Sequence, residues 1–203
     1  MRGDRLFFLN SWITSPQRVG AVAPSGAALA NLMTRDCTAA TAPILELGPG
    51  TGAFSSRLIQ RGVREEDLTL VESGPEFVKL LQERLPRARV LCMDAAGLAS
   101  VRLYACGGAG AAISGLPLLN MSTRKIVKIL AGTFRQLRPG GALYQFSYGM
   151  RCPVPRPVLD RLGLRATFVG RAMMNVPPAA VYRLTRRPPT KIASAPASWA
   201  GQR

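Results

Sequence analysis

Three carboxylates and a set of closely spaced glycines could bind a ligand that carries both an amine and a sugar. Gly48, Gly50 and Gly52 follow an apolar run, in the stretch ELGPGTG. Glycines let a ligand approach the backbone, and the helix start that follows offers free N–H groups to negative charge. Glu46 stands two residues before the loop, where its carboxylate can hold a cationic amine. Pro49 and the third glycine favour a loop that receives an amino-acid carboxylate rather than a pyrophosphate.

Two further acids end the next two apolar runs along the chain. Glu72, followed by Ser73, can form two hydrogen bonds to a ribose diol, and Asp94, followed by Ala95, can accept one from an adenine amine. Ser114 ends the run after that and completes the predicted cofactor site. An acid, a glycine loop and two more acids at successive strand ends describe S-adenosylmethionine better than NAD. The glycines also fit the G-x-G-x-x-A dinucleotide fingerprint, so a dehydrogenase is the alternative, although nothing downstream resembles a hydride-transfer site.

These residues need a parallel sheet that brings several strand ends to one edge. Short apolar runs alternate with helical patterns between residues 43 and 150, which is typical of a doubly wound sheet. The predicted strands cover 44–47, 68–72, 89–93, 110–115 and 141–147, and the predicted helices cover 52–61, 75–84 and 122–137. Two later apolar runs, 164–169 and 180–184, fit an antiparallel pair. We predict an α/β Rossmann-like fold, doubly wound and mostly parallel, with an antiparallel C-terminal edge and an N-terminal amphipathic helix.

Charge divides the chain unevenly. The protein has 203 residues, of which 27 are basic and 11 acidic, for a net charge of +16. Residues 101–203 hold sixteen of the basic groups and one acid, Asp160. This asymmetry indicates an anionic partner, either nucleic acid or an acidic membrane. We divide the chain into an N-terminal helical membrane-binding or lid segment (1–40), a methyltransferase domain (41–185) and a basic disordered tail (186–203).

The turn SGLPLLN at 114–120 lies where this class of fold presents the methyl group to its acceptor. Enzymes that methylate base amines often carry an Asn-Pro-Pro-Tyr-like turn there, with an aromatic ring that stacks on the flipped base. Here Pro117 is kept, but Leu118 holds the ring position, and the missing stacking contact is worth about 1–3 kcal/mol. The turn therefore disfavours RNA or DNA bases as acceptors.

Several stretches resemble the bacterial phospholipid N-methyltransferases, in the same order over residues 5–185. They are GAVAPS at 20–25, ELGPGTG at 46–52, SGLPLLN at 114–120, FSYG at 146–149 and VPPA at 176–179. The resemblance implies a class I methyltransferase that transfers one to three methyl groups from S-adenosylmethionine to phosphatidylethanolamine, towards phosphatidylcholine. For such a substrate we predict that Ser25, Leu116, Pro117 and Leu118 bind the lipid head group.

An apolar helical face near the N-terminus fits a lipid substrate. Phe8, Leu9, Trp12 and Ile13 share one side of a helical wheel, with arginines nearby. Such a helix suits a membrane interface, although a helix that packs on its own domain has the same periodicity. Basic groups in the second half of the chain can each add about 1 kcal/mol at an anionic surface. We predict a cytoplasmic protein, peripheral on the inner face of the cell membrane, with no nucleic acid and no obligate protein as partner.

The acceptor amine must lose its proton without a histidine, because the sequence contains none. This absence, with four scattered cysteines, also predicts that no metal is bound. Burial against the apolar turn would lower the amine pKa. Tyr148, after the fifth strand, is the catalytic candidate, because its hydroxyl can accept a hydrogen bond and its ring can hold a methylammonium by cation–π attraction. Arg18 and Arg151 are candidates for binding the lipid phosphate.

Two other functions stay open from the sequence alone. The basic half of the chain also suits a methyltransferase of RNA, such as one for ribosomal adenine, or of protein amines. A basic RNA- or membrane-binding module with a vestigial site would carry the same charge. Binding of S-adenosylmethionine separates the last possibility from the others, since a dead site should bind none.

Overall fold

The computed structural model describes residues 24–149, 151–173 and 178–188, with side chains from residue 26 onwards. Five predicted site residues lie outside these ranges: Phe8, Leu9, Trp12, Ile13 and Arg18. Most of the predicted tail and part of the VPPA stretch also lie outside them.

Within the described ranges, seven strands form one sheet in the order β3-β2-β1-β4-β5-β7-β6. The parallel strands are β1 (Ile44–Leu47), β2 (Leu68–Glu72), β3 (Arg89–Cys92), β4 (Ala109–Ser114) and β5 (Leu137–Tyr148). Strand β7 (Ala179–Arg186) runs antiparallel between β5 and β6 (Leu164–Ala172). The predicted fold class, with its antiparallel C-terminal edge, is therefore confirmed. The parallel strands place their carboxyl ends at one edge of the sheet, which we call the carboxyl edge.

Five α-helices lie in the described ranges, and none of them is both long and apolar enough to cross a membrane. They are α1 (Pro24–Met33), α2 (Ala53–Gln60), α3 (Pro75–Arg84), α4 (Thr123–Gln136) and α5 (Arg156–Arg161). Helices α2 to α4 agree with prediction to within a residue at each end. Helix α5 was not predicted, because it is only six residues long and contains Pro157, which a first helical turn tolerates.

The stretch RPGG at 138–141 ends α4 and leads directly into the sheet. Leu137 already pairs with Ala109, four residues earlier than the strand start predicted at 141, and regular pairing resumes between Ala142 and Ala111. The intervening residues form a bulge with Gly140 at φ +80. Helix α4 therefore ends within a residue of the predicted position, and the residues that follow it already belong to β5.

Helices cover the sheet on both faces, and the strand residues alternate between them. On one face, Leu47 and Leu143 pack with Leu130 of α4 and Leu159 of α5 in one core cluster. On the other face, strand residues pack against α1, α2 and α3, in a cluster that includes Leu29, Ile44, Phe54, Leu70 and Leu81. A side chain near the carboxyl edge therefore belongs either to the α4/α5 face or to the α1/α2/α3 face.

The last described strand runs further than the apolar pattern indicated. Strand β7 continues to Arg186, and Arg187 donates a hydrogen bond to the carbonyl of Leu164 and pairs with Asp160. Ordered chain therefore extends into the segment 186–203 that the sequence predicts to be a disordered tail.

Candidate cofactor and acceptor site

The glycine loop joins β1 to α2 at the carboxyl edge, and its three glycines all have positive φ angles. The values are +62 at Gly48, +54 at Gly50 and +82 at Gly52, a region that favours glycine. A Cβ on Gly48 would stand 2.7 Å from Cδ2 of Leu116, whereas a Cβ on Gly50 would meet nothing within 4 Å. The loop therefore packs tightly at its first glycine and leaves open space beside its second.

Glu72, the last residue of β2, holds the glycine loop in place. One carboxylate oxygen accepts a hydrogen bond from the backbone N–H of Gly50 at 3.1 Å, and the other accepts from Ser73 and Gly74 at 2.8 and 2.9 Å. The side chain is buried and points at the loop rather than into solvent. A carboxylate can accept about four hydrogen bonds, so one further position is left for a ligand hydroxyl.

Glu46 is completely buried in β1 on the α1/α2/α3 face. One of its oxygens accepts a hydrogen bond from the Ser55 hydroxyl of α2 at 2.6 Å, and its Oε1 has no partner among the described residues. Burial raises the pKa of Glu46 to about 7, the Ser55 hydrogen bond lowers it, and the charge of Glu72 raises it. A buried, unpaired carboxylate oxygen is costly unless a donor meets it. This oxygen suits an ammonium group.

Asp94 occupies the position predicted for an adenine contact, but its oxygens already have protein partners. One accepts from the backbone N–H of Ala96, as the cap of the 3₁₀ helix Ala95–Ser100, and the other pairs with Lys125 Nζ of α4 at 2.8 Å. The Lys125 hydrogen bond is the main reason why the pKa of Asp94 is lowered. Ala95 is buried beneath this turn. The carboxylate is half exposed, so it stays accessible to a ligand amine.

The turn that follows β4 packs directly on the glycine loop. Ser114 is buried, and its hydroxyl accepts a hydrogen bond from the backbone N–H of Leu116 at 3.3 Å. A Cβ on Gly115 would lie 2.5 Å from the carbonyl oxygen of Gly48, so only glycine fits there. Pro117 is half buried, and Leu118 is only 2% exposed in the core of the α4/α5 face. Leu118 therefore lies in the core rather than lining an open crevice.

Tyr148 ends β5 on the α1/α2/α3 face. Its ring contacts Phe146 edge-on with centroids 5.2 Å apart, and Phe146 in turn contacts Phe54 of α2 at 6.3 Å. Burial raises the pKa of Tyr148, so its hydroxyl is protonated at neutral pH. Arg151 is exposed beyond the end of β5. Ser25 lies in the first turn of α1, and its side chain is outside the described part of the chain.

Some residues that shape the site were not found from the sequence. Ser55 holds Glu46, and Arg84, the last residue of α3, donates to the carbonyl of Thr51 in the glycine loop at 2.7 Å. Gln145 of β5 donates to the carbonyl of Leu116 at 3.0 Å. Each contact joins residues between 9 and 33 positions apart, and no local pattern signals such pairs.

An open groove of about 620 Å³ lies at the opposite edge of the sheet, near the amino ends of β4 and β5. Its lining includes Asp36, Arg138, Tyr144 and Arg183. None of the predicted site residues contributes to it. Within the described part of the chain, no group of three or more His, Cys, Asp or Glu side chains is placed to hold a metal ion.

Comparisons with known proteins agree with this geometry. Residues 44–141 match a family model described as a methyltransferase domain. No curated protein matches the chain. Similar solved structures include a TehB-like SAM-dependent methyltransferase from Corynebacterium glutamicum, with 16% identity over 91% of this chain and 95% of that one and a TM-score of 0.60.

Two further structures are similar over nearly their whole length. The N-methyltransferase NodS from Bradyrhizobium japonicum, in complex with S-adenosyl-L-homocysteine, has 17% identity, covers 88% of this chain and 96% of its own, and has a TM-score of 0.59. The SAM-bound amino pentose methyltransferase CalS10 from Micromonospora echinaspora has 15% identity, coverage of 90% and 97%, and a TM-score of 0.58. At these identities the likeness shows the fold.

The described residues fit S-adenosylmethionine as a ligand. Glu46 offers an unpaired buried oxygen to an ammonium, Glu72 keeps one acceptor position for a ribose hydroxyl, and the loop is open beside Gly50. The fold confirms the prediction of a Rossmann-like sheet, and the match of residues 44–141 to a methyltransferase domain agrees with S-adenosylmethionine as the predicted cofactor. Residues 44–141 thus match a methyltransferase domain, and the chain has the fold of the class I S-adenosylmethionine-dependent methyltransferases.

Proposed function

We propose that this protein methylates the amine of phosphatidylethanolamine at a membrane surface, in one to three transfers towards phosphatidylcholine. The observation that carries the proposal is a set of three exposed apolar side chains, which we call the apolar rim: Leu119 and Met173 at the carboxyl edge, 58% and 67% exposed, and Phe168 within β6, 51% exposed. Leu119 belongs to the turn after β4, and Met173 directly follows β6. Strand β7 pairs antiparallel with both β5 and β6, so the ends of β5 and β6 lie at the same edge of the sheet. Exposed apolar side chains beside a ligand site suit contact with acyl chains.

Exposed positive charge near the apolar rim also supports contact between the carboxyl edge and a membrane. Arg151 and Arg171 are exposed near the ends of β5 and β6, close to the apolar rim along the carboxyl edge. Arg171 also lies over the ring of Phe168, with its Cζ 5.5 Å from the ring centroid. Arginines that flank apolar side chains attract anionic lipid head groups, with about 1 kcal/mol for each charge near the surface.

The chemistry requires a neutral amine beside the methyl donor. Bound S-adenosylmethionine supplies an electrophilic methyl group on a sulfonium. In each transfer the amine lone pair would form the N–C bond as the C–S bond breaks, with the electron pair of that bond left on sulfur. After the first and second transfers the nitrogen releases a proton, whereas a third transfer gives a quaternary ammonium with no N–H. An alkylammonium has a pKa near 10 by analogy with lysine, so the neutral form costs about 4 kcal/mol at pH 7. Burial against Leu116 lowers that cost, and alignment of the two reactants supplies the rest of the catalysis.

Tyr148 remains the catalytic candidate for contact with the amine. Its ring ends β5 at the carboxyl edge and is held by Phe146. Because the hydroxyl stays protonated at neutral pH, it cannot serve as a general base there. The ring face can bind a methylammonium product by cation–π attraction.

A small soluble amine is the second candidate acceptor. The similar structures include NodS, an N-methyltransferase, and CalS10, an amino pentose methyltransferase. A base in RNA is disfavoured, because Leu118 is buried in the core and the turn offers no ring for stacking. The two candidates differ in whether catalysis needs a lipid surface.

One experiment separates these functions. The full-length protein is incubated with methyl-labelled S-adenosylmethionine and either vesicles of phosphatidylethanolamine and phosphatidylglycerol or free ethanolamine and phosphoethanolamine. We expect label in the lipid, with a rate that falls as salt is raised. Label only in a soluble amine supports the second candidate. A protein that binds the donor but labels none of these acceptors refutes the lipid substrate and excludes these two soluble amines.

Variants of the apolar rim test the membrane contact directly. Leu119→Ser combined with Met173→Ser should weaken vesicle binding by about tenfold and leave the affinity for S-adenosylmethionine unchanged. Val101→Ser is the matched control, since Val101 is also an exposed apolar side chain but lies in the loop before the amino end of β4. Equal vesicle binding by the double variant and the control would count against the membrane orientation. Sedimentation with vesicles measures both.

A further inference from the structure

Two buried glutamines each donate hydrogen bonds to two backbone carbonyls, but they differ at their acceptor oxygen. Gln136 of α4 donates to the carbonyls of Leu98 and Val101, and its Oε1 accepts from the backbone N–H of Leu103. Gln145 of β5 donates to the carbonyls of Leu116 and Phe146 at 3.0 and 2.8 Å, but its Oε1 has no partner among the described residues.

The orientation of the Gln145 amide follows from its neighbours. Both groups that meet its nitrogen are carbonyl oxygens, which only accept hydrogen bonds, so a flipped amide would set oxygen against oxygen. The side chain is completely buried. Gln145 Oε1 is therefore a buried acceptor that lacks a donor, and such groups in folded proteins call for an explanation.

Ser147 supplies a second unpaired oxygen on the same face of the same strand. It is 3% exposed, and its Oγ has no partner among the described residues. Gln145 and Ser147 are two residues apart in β5, so their side chains lie on the same face of the sheet, with Cα atoms about 7 Å apart. Their partners in β7 are Tyr182 and Ala180, which belong to the core of the α4/α5 face.

Both oxygens lie near the proposed methyl-transfer site. Gln145 pairs with Ser114 in the register of β4 and β5, and its side-chain amide donates a hydrogen bond to the carbonyl of Leu116. The Leu116 side chain in turn packs on Gly48 of the glycine loop. Glu46 Oε1, the unpaired oxygen assigned to the donor ammonium, lies at the same edge at the end of β1. Three buried oxygens without partners among the described residues therefore lie near the carboxyl ends of β1 and β5: Glu46 Oε1 on the α1/α2/α3 face, and the Gln145 and Ser147 oxygens on the α4/α5 face.

We propose that Gln145 Oε1 and Ser147 Oγ form the acceptor subsite, in which each accepts one N–H hydrogen bond from the amine that is methylated. Hydrogen bonds from both N–H groups orient a primary amine and leave its lone pair free to attack the methyl carbon. This proposal rests on the proposed function, because it requires an amine acceptor. It assigns the amine N–H groups to two oxygens on the α4/α5 face of β5, and leaves to Tyr148, which ends the strand on the other face, the cation–π contact with the methylammonium product.

The number of N–H groups on the acceptor provides a specific signature. A neutral primary amine has two N–H groups, its monomethyl form has one and its dimethyl form has none. Removal of either oxygen should therefore reduce kcat/KM most for phosphatidylethanolamine and least for its N,N-dimethyl form. If Gln145 acted only through its hydrogen bond to the Leu116 carbonyl, its replacement would instead reduce the rate for all acceptors by the same factor.

The test uses two site variants and two matched controls in the full-length protein. Gln145→Met and Ser147→Ala remove the proposed acceptors. Gln136→Met and Thr133→Val remove buried polar groups whose hydrogen bonds are satisfied within the fold, in α4. Initial rates are measured on vesicles that carry phosphatidylethanolamine or its monomethyl or dimethyl forms, and S-adenosylmethionine affinity is measured by calorimetry.

We expect S147A and Q145M each to lower kcat/KM for phosphatidylethanolamine about tenfold more than for the dimethyl lipid, with an unchanged donor affinity. The controls should lower all rates equally or not at all. If the wild type methylates only the primary amine, the subsite is tested by the loss of kcat/KM for phosphatidylethanolamine in S147A, which should exceed the loss in Thr133→Val. Equal losses for all acceptors, or for S147A and its control, overturn the subsite alone. A wild-type protein that binds the donor but labels no phosphatidylethanolamine overturns the proposed function, and the subsite falls with it.

Discussion

Replacement of Glu46 by Gln should stabilise the folded protein at pH 8 while weakening its affinity for S-adenosylmethionine. Burial raises the pKa of this carboxyl from 4.5 to about 7. Below pH 4.5 it is protonated whether the chain is folded or unfolded, so it contributes no pH dependence there. Between pH 4.5 and 7 the unfolded chain ionises first, and the stability of the fold therefore falls as pH rises.

Above pH 7 the cost of the buried charge is constant. The raised pKa of Glu46 lowers the free energy of unfolding by about 3 kcal/mol, at about 1.4 kcal/mol for each pKa unit. A glutamine has no charge to bury and can still accept the Ser55 hydrogen bond. The free energy of unfolding of E46Q should therefore exceed that of the wild type by up to about 3 kcal/mol at pH 8, and by little at pH 4.5.

Ligand affinity should change in the opposite direction. At pH 6 about nine-tenths of Glu46 is protonated if its pKa is 7, and it must release that proton to receive an ammonium. Wild-type affinity should therefore be roughly tenfold weaker at pH 6 than at pH 7.5, with close to one proton released on binding at pH 6. In E46Q the affinity at pH 7.5 should fall by about tenfold or more, since a hydrogen bond to a charged group contributes about 1.5–3 kcal/mol.

Urea unfolding at pH 5 and pH 8 measures the first effect, and calorimetry in two buffers of different ionisation enthalpy counts the protons. Glu76→Gln is the control, because Glu76 is an exposed carboxylate in the first turn of α3. A wild-type affinity that is constant between pH 6 and 7.5, with no proton release, would refute the assignment of Glu46 to the ligand ammonium.

Three further predictions concern the packing around the site. Gly115→Ala forces a Cβ to 2.5 Å from the Gly48 carbonyl oxygen, so we expect a loss of about 1–3 kcal/mol of stability and a weaker donor affinity by calorimetry; an unchanged affinity would separate this turn from the cofactor loop. Leu118→Ala should cost about 2–5 kcal/mol in urea unfolding, because Leu118 is a core side chain, and a cost below 1 kcal/mol would place it in the acceptor crevice instead. Tyr148→Phe should keep its turnover within about threefold, whereas Tyr148→Ala should lose about tenfold through the missing cation–π contact; full activity in Tyr148→Ala would exclude a role for the ring.

The strands and helices of the central sheet could be predicted closely because their signals are local. Strands 44–47 and 68–72 and helix 75–84 have the predicted bounds. Each is an apolar or amphipathic run whose ends are marked by glycine, proline or a charged residue. Helix α5 escaped prediction because six residues give too little periodicity, and the start of β5 escaped it because a bulge interrupts its pairing.

The sequence by itself determined the order of the elements, the glycine loop and the acids at the strand ends, since parallel strands must bring their carboxyl ends to one edge. Only the tertiary structure decided which oxygens at that edge have partners. Glu46 meets Ser55, Glu72 meets Gly50, and Gln145 meets Leu116, across 9 to 29 positions of the chain. Such contacts depend on strand register and helix packing, so no local pattern could distinguish the satisfied amide of Gln136 from the unpaired oxygen of Gln145.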